Sequence, residues 1–379
     1  MYLSRVITPV KPYFPSEDIA QIHEHLDKIL TSGMLTLHTY TKEFEGKYQE
    51  LCKVRHAVAV NSGTAALEIA LRCMKLNAGD EVLVPTNTFS ATAAAVIFAG
   101  GKPVLTDIDP ESLCMNIENI QAKHTNKTKG VLVVHIGGLV CPNIKAIREL
   151  CTDHKWFLIE DAAHAHGSRI DDKPAGSLGD VGAFSFYPTK VITTGEGGIV
   201  TTNSDEVSSK ARVLRDQGKE SSTSETVVEL GYNWRMSEIS AAIGIVQLTR
   251  IPEIIEKRNR VAKVYDSELE RVDGIKPLKS PPNILNNYYK YVALLDEKID
   301  RDDVKRRLRE KGVRCGGEVY WPPLHLQPLY RRLMGTKEGD FPNAEDVCKR
   351  MICLPLHAGM SIDDAKYVVE NVRQVLSEE

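Results

Sequence analysis

Seven short apolar runs between residues 57 and 202 constrain the fold more than any other feature. They lie at 57–60, 81–85, 103–107, 130–135, 156–161, 182–186 and 198–202. Most are continuous rather than alternating, which is the pattern of strands buried on both faces of a mainly parallel sheet. The segments between them, such as 87–99 and 143–154, have the length and period of crossover helices. The expected architecture is therefore α/β: a mainly parallel seven-stranded sheet flanked by helices.

A chain of 379 residues is too long for one core of ordinary size, so two domains are expected. The texture changes after Met236. A small-residue helix over 237–248 is interrupted at Pro252, and a long helix follows over 253–269. Beyond it lie strand patterns at 288–295, 313–319 and 351–354 and helical patterns at 302–311 and 362–376, a smaller α+β domain. Ser361 is placed to cap the last helix. Near the start, 16–30 reads as a helix capped by Ser16, with Ile19, Ile22, Leu26 and Ile29 on one face. The expected divisions are an N-terminal arm and helix over 1–30, a large domain over 31–250 and a small one over 251–379.

Charge and composition narrow the function. A net charge of −3 offers no basic footprint for nucleic acid or an anionic membrane surface. No apolar run approaches the length of a membrane span. The first 14 residues lack the apolar centre of a signal peptide. Eight cysteines without C-x-x-C pairs suit reduced thiols in a cytoplasm.

Four stretches could carry chemistry. In GAFSFYPTKVITTGEGG, residues 182–198, a buried strand breaks at Pro188 and Lys190 follows on a loop before closely spaced glycines. Ser62-Gly63-Thr64 lies between a strand and a helix, where free backbone N–H groups and the positive helix end favour an anion. Alone, that turn also reads as an ordinary helix cap. Asp161 ends a strand at the edge where α/β sheets bind ligands, while Glu160 alternates to the other side. His164 falls on the Asp161 side if the chain turns helically, and Ser185 sits between two aromatic residues and needs a polar partner. Asp161 could equally be a capping or salt-bridging carboxylate, and His164 a packed, hydrogen-bonded histidine. Together, a phosphate turn, a strand-end carboxylate, a serine and a loop lysine meet the needs of pyridoxal phosphate. The lysine forms a Schiff base, the carboxylate keeps the pyridinium protonated, and the turn and serine hold the phosphate.

The motifs TSGMLT, NSGTAAL, NTFSATAAA, IEDAAHAHGS, GDVGAFSFYPTK, TTGEGGIVTT, GYNWRMSEISAAIGIVQL, HLQPLY and LPLHAGM run along nearly the whole chain in this order. In them the chain resembles the nucleotide-sugar aminotransferases of the DegT/StrS family, which have fold type I, that of aspartate aminotransferase. The resemblance implies that Lys190 is the Schiff-base lysine and Asp161 the pyridinium partner. It implies that Gly63, Thr64 and Ser185 hold the phosphate, that Phe89 stacks on the cofactor and that His164 packs near its ring. Asn233 matches an asparagine that relatives extend to a neighbour's phosphate, which implies a homodimer with shared sites. Tyr320, His325 and Arg235 fall toward the substrate mouth.

The implied reaction moves an amino group from L-glutamate to a keto group of a nucleotide-linked sugar, with pyridoxamine 5′-phosphate between the two halves. A cyclitol or other non-nucleotide ketone is the alternative acceptor, and a pyridoxal-phosphate-binding regulator the alternative role. Leu37-His38-Thr39 and the stretch HIGGLVCPN depart from relatives near expected substrate loops, which leaves the sugar open. A branch of the family with His in place of the lysine performs deoxygenation, and Lys190 argues against that branch.

Overall fold

The computed structural model describes residues 5–221 and 223–378; residues 1–4, the start of the expected N-terminal arm, lie outside them. Helix α1 (Ser16–Ser32) begins at the expected residue but without the expected cap. Ser16 is already the first helical residue, Pro15 holds the capping position, and the Pro15 carbonyl accepts from the N–H groups of Asp18 and Ile19. Helix α2 (Thr39–Cys52) was not expected. It buries Thr41, Phe44, Tyr48 and Cys52 along one face, a helical spacing visible in the sequence.

The chain then alternates. Strand β1 (His56–Val60) leads into α3 (Gly63–Cys73), β2 (Glu81–Pro85) into α4 (Ser90–Phe98), and β3 (Lys102–Thr106) into α5 (Ile117–Lys123). Next come β4 (Thr128–Val134), α6 (Ile144–His154) and β5 (Phe157–Asp161), the short strands β6 (Arg169–Ile170) and β7 (Lys173–Pro174), then β8 (Val181–Ser185) and β9 (Gly198–Thr202). Seven of these strands form one sheet in the order β1-β9-β8-β5-β4-β2-β3. Only β9 runs against the rest. All seven expected runs are strands of this sheet, two with the expected ends and the others with ends moved by at most two residues. Strand β2 is buried at every position and β5 at all but its first, as continuous apolar strands between two helical layers must be.

After α7 (Asp205–Arg215), helices α8 (Glu238–Thr249) and α9 (Ile251–Leu269) meet almost end to end. Pro252 falls in the first turn of α9, where its missing N–H has no intrahelical partner to lose. Strand β10 (Ile275–Pro277) pairs with β12 (Tyr291–Leu295), and β11 (Ile284–Leu285) reaches back to β6. Helices α10 (Arg301–Glu310), α11 (Pro328–Met334) and α12 (Pro342–Arg350), strand β13 (Met351–Leu354) and helix α13 (Ile362–Ser377) complete the chain. Strands β10, β12 and β13 make a second, antiparallel sheet. Ser361 caps α13 as expected, in a capping box with Asp364.

One expected strand is absent. Of 313–319, only Val313 forms a bridge, to Ile7. Gly316 and Gly317 have no side chains to pack in a sheet. The stretch runs past β13 instead, with Gly316 N–H bonded to the Cys353 carbonyl, and delivers Tyr320 toward the large sheet.

Helix α9 ties the two cores together. Its first turns place Ile251, Ile254 and Ile255 in the cluster around the large sheet. Its later turns place Val261, Ala262, Tyr265 and Leu269 in the cluster around the small sheet. Among the described residues, no helix is long and apolar enough to cross a membrane. All eight cysteines are free thiols.

Candidate active site

Five parallel strands end at one edge of the large sheet, and their ends surround a cavity of about 430 Å³. Beyond β1 come Ser62, Gly63 and Thr64; beyond β2, Thr88 and Phe89; β4, β5 and β8 end at Val134, Asp161 and Ser185, and all of these line the cavity. An α/β sheet presents its loops and helix N-termini at this edge, so a ligand site there follows from topology. Lys190, Tyr289 and Tyr320 complete the wall.

The anion end is built from main chain. Ser62 Oγ caps α3 by accepting from Ala65 N–H at 3.1 Å, and the Ser62 carbonyl accepts from Ala66 N–H. Bonding within the helix thus begins after Gly63 and Thr64, whose N–H groups are of the kind left to meet a ligand. Gly63 is required by packing: a Cβ there would stand 2.6 Å from Ser185 Cβ. Its bareness lets the serine sit directly against the turn.

At the other end, Asp161 is buried, with two donors. Thr92 Oγ1 donates to its Oδ2 at 2.8 Å and Ala163 N–H to its Oδ1 at 3.2 Å. Burial raises its pKa above the usual carboxylate range, against the pull of these two bonds and of the Lys190 and His135 side chains. Such a carboxylate calls for a cationic N–H partner. Thr92 is itself held in place, its hydroxyl 2.7 Å from Thr88 Oγ1.

Lys190 ends the tight turn 187–190, which its N–H closes on the Tyr187 carbonyl. Its Nζ stands 4.8 Å from the centre of the Tyr289 ring. Burial lowers its pKa to about 8; Asp161 pulls it up and Lys290 pushes it further down. The amine is therefore far closer to neutral at physiological pH than an ordinary lysine.

His164 Nδ1 accepts from Gly137 N–H at 3.2 Å. This network puts the ring proton on Nε2, which lies 2.9 Å from Tyr320 Oη. Burial, then the nearby cationic side chains, hold its pKa well below the ordinary histidine value, so the ring stays neutral. It stacks on Tyr289, with centroids 4.3 Å apart.

Of the eleven residues singled out from the sequence, eight line the cavity: Gly63, Thr64, Phe89, Asp161, His164, Ser185, Lys190 and Tyr320. Three do not. Asn233 is exposed, and its carbonyl accepts from Asn61 Nδ2. Arg235 is turned away by an ion pair with Asp216 at 2.6 Å. His325 is fully buried between Thr86 Oγ1 at 2.8 Å and Glu345 Oε1 at 2.9 Å, so both its ring nitrogens are occupied away from the cavity.

Sequence reasoning missed Thr92, Tyr289 and Asn287. Thr92 stands within the motif NTFSATAAA, two residues into a helix start, and nothing in its spacing marks it. Tyr289 lies in a run read only as a strand. Asn287 is buried outside the cavity and clamps it: Nδ2 donates to the carbonyls of His164 and His166, and Oδ1 accepts from Tyr289 N–H.

The residues present fit pyridoxal phosphate. The cavity lies within the range of cofactor sites. It offers backbone donors and a hydroxyl for a phosphate, a depressed-pKa amine for an aldehyde, and an under-bonded buried carboxylate for a ring N–H.

A model of the DegT/DnrJ/EryC1/StrS aminotransferase family matches residues 16–373. The chain is 34% identical to a GDP-perosamine synthase of Vibrio cholerae over 364 residues, covering 95% of this chain and 97% of that one. It is 32% identical to a dTDP-4-dehydro-2,3,6-trideoxy-D-glucose 4-aminotransferase of Saccharopolyspora spinosa, covering 94% and 92%. Among solved structures, it is similar to the sugar aminotransferase Spr1654 of Streptococcus pneumoniae, described as putative and solved in PMP and PLP forms. The PMP form superposes with a TM-score of 0.91 at 28% identity, over 98% of each chain.

Proposed function

This chain belongs to the DegT/DnrJ/EryC1/StrS aminotransferase family, and from that premise we propose which amino group it moves, to what, and by which residues. It is a pyridoxal-phosphate-dependent aminotransferase of amino-sugar biosynthesis. Its acceptor is the keto group of a nucleotide-linked sugar, and its donor is L-glutamate. The relatives that act on GDP- and dTDP-linked sugars support the acceptor class.

The observation that carries the reading is Lys190 facing a cavity whose far wall holds Asp161. Pyridoxal phosphate, when bound, supplies an aldehyde for amines and a ring that withdraws electrons from the substrate's Cα. Lys190 Nζ provides the amine that holds it. With a pKa near 8, the same Nζ can accept a proton at neutral pH and return it. Asp161 Oδ2 and Oδ1, oriented by Thr92 and Ala163, keep a ring N–H protonated through a charge-assisted bond. Gly63 and Thr64 N–H and Ser185 Oγ bind the phosphate, and Phe89 covers the ring from the solvent side. His164, neutral and protonated on Nε2, donates beside Tyr320.

The working unit is a cytoplasmic homodimer, with Asn233 serving the partner's phosphate site. Its support is the exposed apolar surface of Val227, Val228, Leu230 and Tyr232 next to Asn233. Residues 31–250 hold the cofactor, residues 251–379 form the small domain that closes the substrate mouth, and residues 1–30 form the arm.

Borohydride reduction of the holoenzyme followed by peptide mapping tests the reading. The cofactor is expected on Lys190, and Lys190→Ala is expected to lose both the label and steady-state turnover. A label on another residue, or turnover retained in Lys190→Ala, refutes it.

A further inference from the structure

A second and much smaller chamber, of about 10 Å³, adjoins the catalytic cavity, with room for one water-sized particle. Thr189 and Lys190 line both spaces. Four pieces of the chain meet around the chamber: 10–13 near the start, 188–191 at the lysine turn, Ile254 and Arg258 one turn apart on α9, and His357 and Ala358 beyond β13. The lining holds Lys11, Lys190, Arg258 and His357 and no carboxylate.

Arg258 is buried, yet its guanidinium meets no carboxylate among the described residues. Nε and Nη2 donate to the main-chain carbonyls of Asn287, Tyr288 and Tyr289 at 2.7–3.1 Å, and Nη1 makes no hydrogen bond among the described residues. Lys11 is exposed and has no carboxylate partner among them either. His357 is buried, and its Nδ1 has no hydrogen-bond partner among the described residues. Burial, then the charges of Arg258 and Lys11, lower the pKa of His357 to about 4, so its ring is neutral and has one N–H to donate. Two acids act nearby, and both are already paired. Glu253 takes Lys257 at 2.8 Å, Arg250 at 3.1 Å and the Tyr13 hydroxyl at 2.7 Å, and Asp364 takes Arg5.

We propose that this chamber binds one chloride ion between Arg258, Lys11 and His357. A water there satisfies hydrogen bonds but not charge. A buried guanidinium without a counter-charge is unfavourable, and an anion beside it offsets that cost. The size of the chamber admits a monatomic ion and excludes sulfate, phosphate and carboxylates. Held there, the ion ties the chain near its start, the lysine turn, α9 and the loop after β13 to one charge. The inference is independent of which ketone the enzyme aminates.

Crystals of the holoenzyme soaked in bromide test the site directly, because bromide scatters anomalously and stands in for chloride. One anomalous peak is expected in the chamber, within contact of Arg258 and His357. In solution, replacing gluconate by chloride at constant ionic strength is expected to raise the melting temperature, by roughly 2 °C at ten times the dissociation constant. Lys11→Gln and His357→Phe are each expected to lose at least about half of that rise. The cofactor's absorbance shows that both variants fold. A wild-type chamber without a bromide peak overturns the proposal, and so does a chloride-dependent rise that both variants keep in full. A peak in the crystal with no chloride-dependent rise in solution also overturns it, as binding at crystal concentration only.

Discussion

Glu160 and Asp161 are neighbours on β5, yet they point to opposite faces of the sheet and do opposite work. Glu160 is fully buried with four donors around it. Oε2 accepts from His135 Nε2 and Gly176 N–H, both at 2.8 Å, and Oε1 accepts from Leu178 and Gly179 N–H at 2.7 and 2.6 Å. The proton on His135 Nε2 follows from its Nδ1 accepting from Cys141 N–H. Asp161 faces the cavity with only two donors, and burial raises its pKa. A carboxylate whose lone pairs are filled organises the protein around it. One left short of donors is available to a ligand.

The largest expected effect is on activity, at Asp161. Asp161→Asn removes the charge that would hold a ring N–H protonated, and kcat should fall by about 10²–10³-fold or more. The fold should not suffer. A raised carboxyl pKa means that the native state keeps its proton to higher pH than the unfolded chain. The ionised form therefore costs stability above the ordinary carboxylate range, and the cost disappears as pH falls below it. Cofactor-free Asp161→Asn should melt above the wild type at pH 7, with the gain shrinking toward pH 4. Melting curves at the two pH values check this. A variant less stable than wild type at pH 7 would break the contrast.

Glu160→Gln should do the reverse. A carboxamide must turn its NH2 toward one pair of the four donors, so two buried N–H groups lose their acceptor. Removing one member of such a buried polar network costs about 3–5 kcal/mol. Urea unfolding should show that loss, while turnover per folded molecule stays within about threefold of wild type, as expected for a site whose side chains are untouched. Asn287→Ala lies between the two residues in kind. It unpairs the carbonyls of His164 and His166 and the N–H of Tyr289, which should cost about 2–3 kcal/mol. It should also loosen the His164–Tyr289 stack, so that KM and kcat change together.

The contrast on β5 was legible because alternation along a strand is strict: if Asp161 faces the ligand edge, Glu160 cannot. The seven strands and Lys190 were legible for a similar reason, since continuous apolar runs and a lysine before clustered glycines are local patterns. Tertiary pairing was not. His325 and Arg235 look available in the sequence, and only the folded chain brings Glu345 and Asp216 to them. Thr92 reaches Asp161 across 69 positions, and Asn287 reaches the carbonyls of His164 and His166 across 123 and 121, distances which no periodicity records. The strand expected at 313–319 failed at its two glycines. Helix α2 could have been found from Phe44, Tyr48 and Cys52 alone.

The smallest expected effect sharpens the contrast by asking how far the Asp161 charge reaches. Lys190 feels two charges of opposite sign, Asp161 across the cavity and Lys290, whose Nζ lies 5.4 Å from the centre of the Tyr289 ring that Lys190 also faces. His164 on the same ring is neutral and adds nothing to the charge balance. In cofactor-free protein, reductive methylation of Lys190, followed by mass spectrometry, should rise with pH and level off near 8, the value burial imposes. Lys290→Met removes a repulsion, so the break should move up by about half a unit. Asp161→Asn removes an attraction, so it should move down by a similar amount. Burial alone would leave the break unmoved in both variants. Shifts of the same sign would mean that the substitutions act by rearranging the cavity rather than through charge.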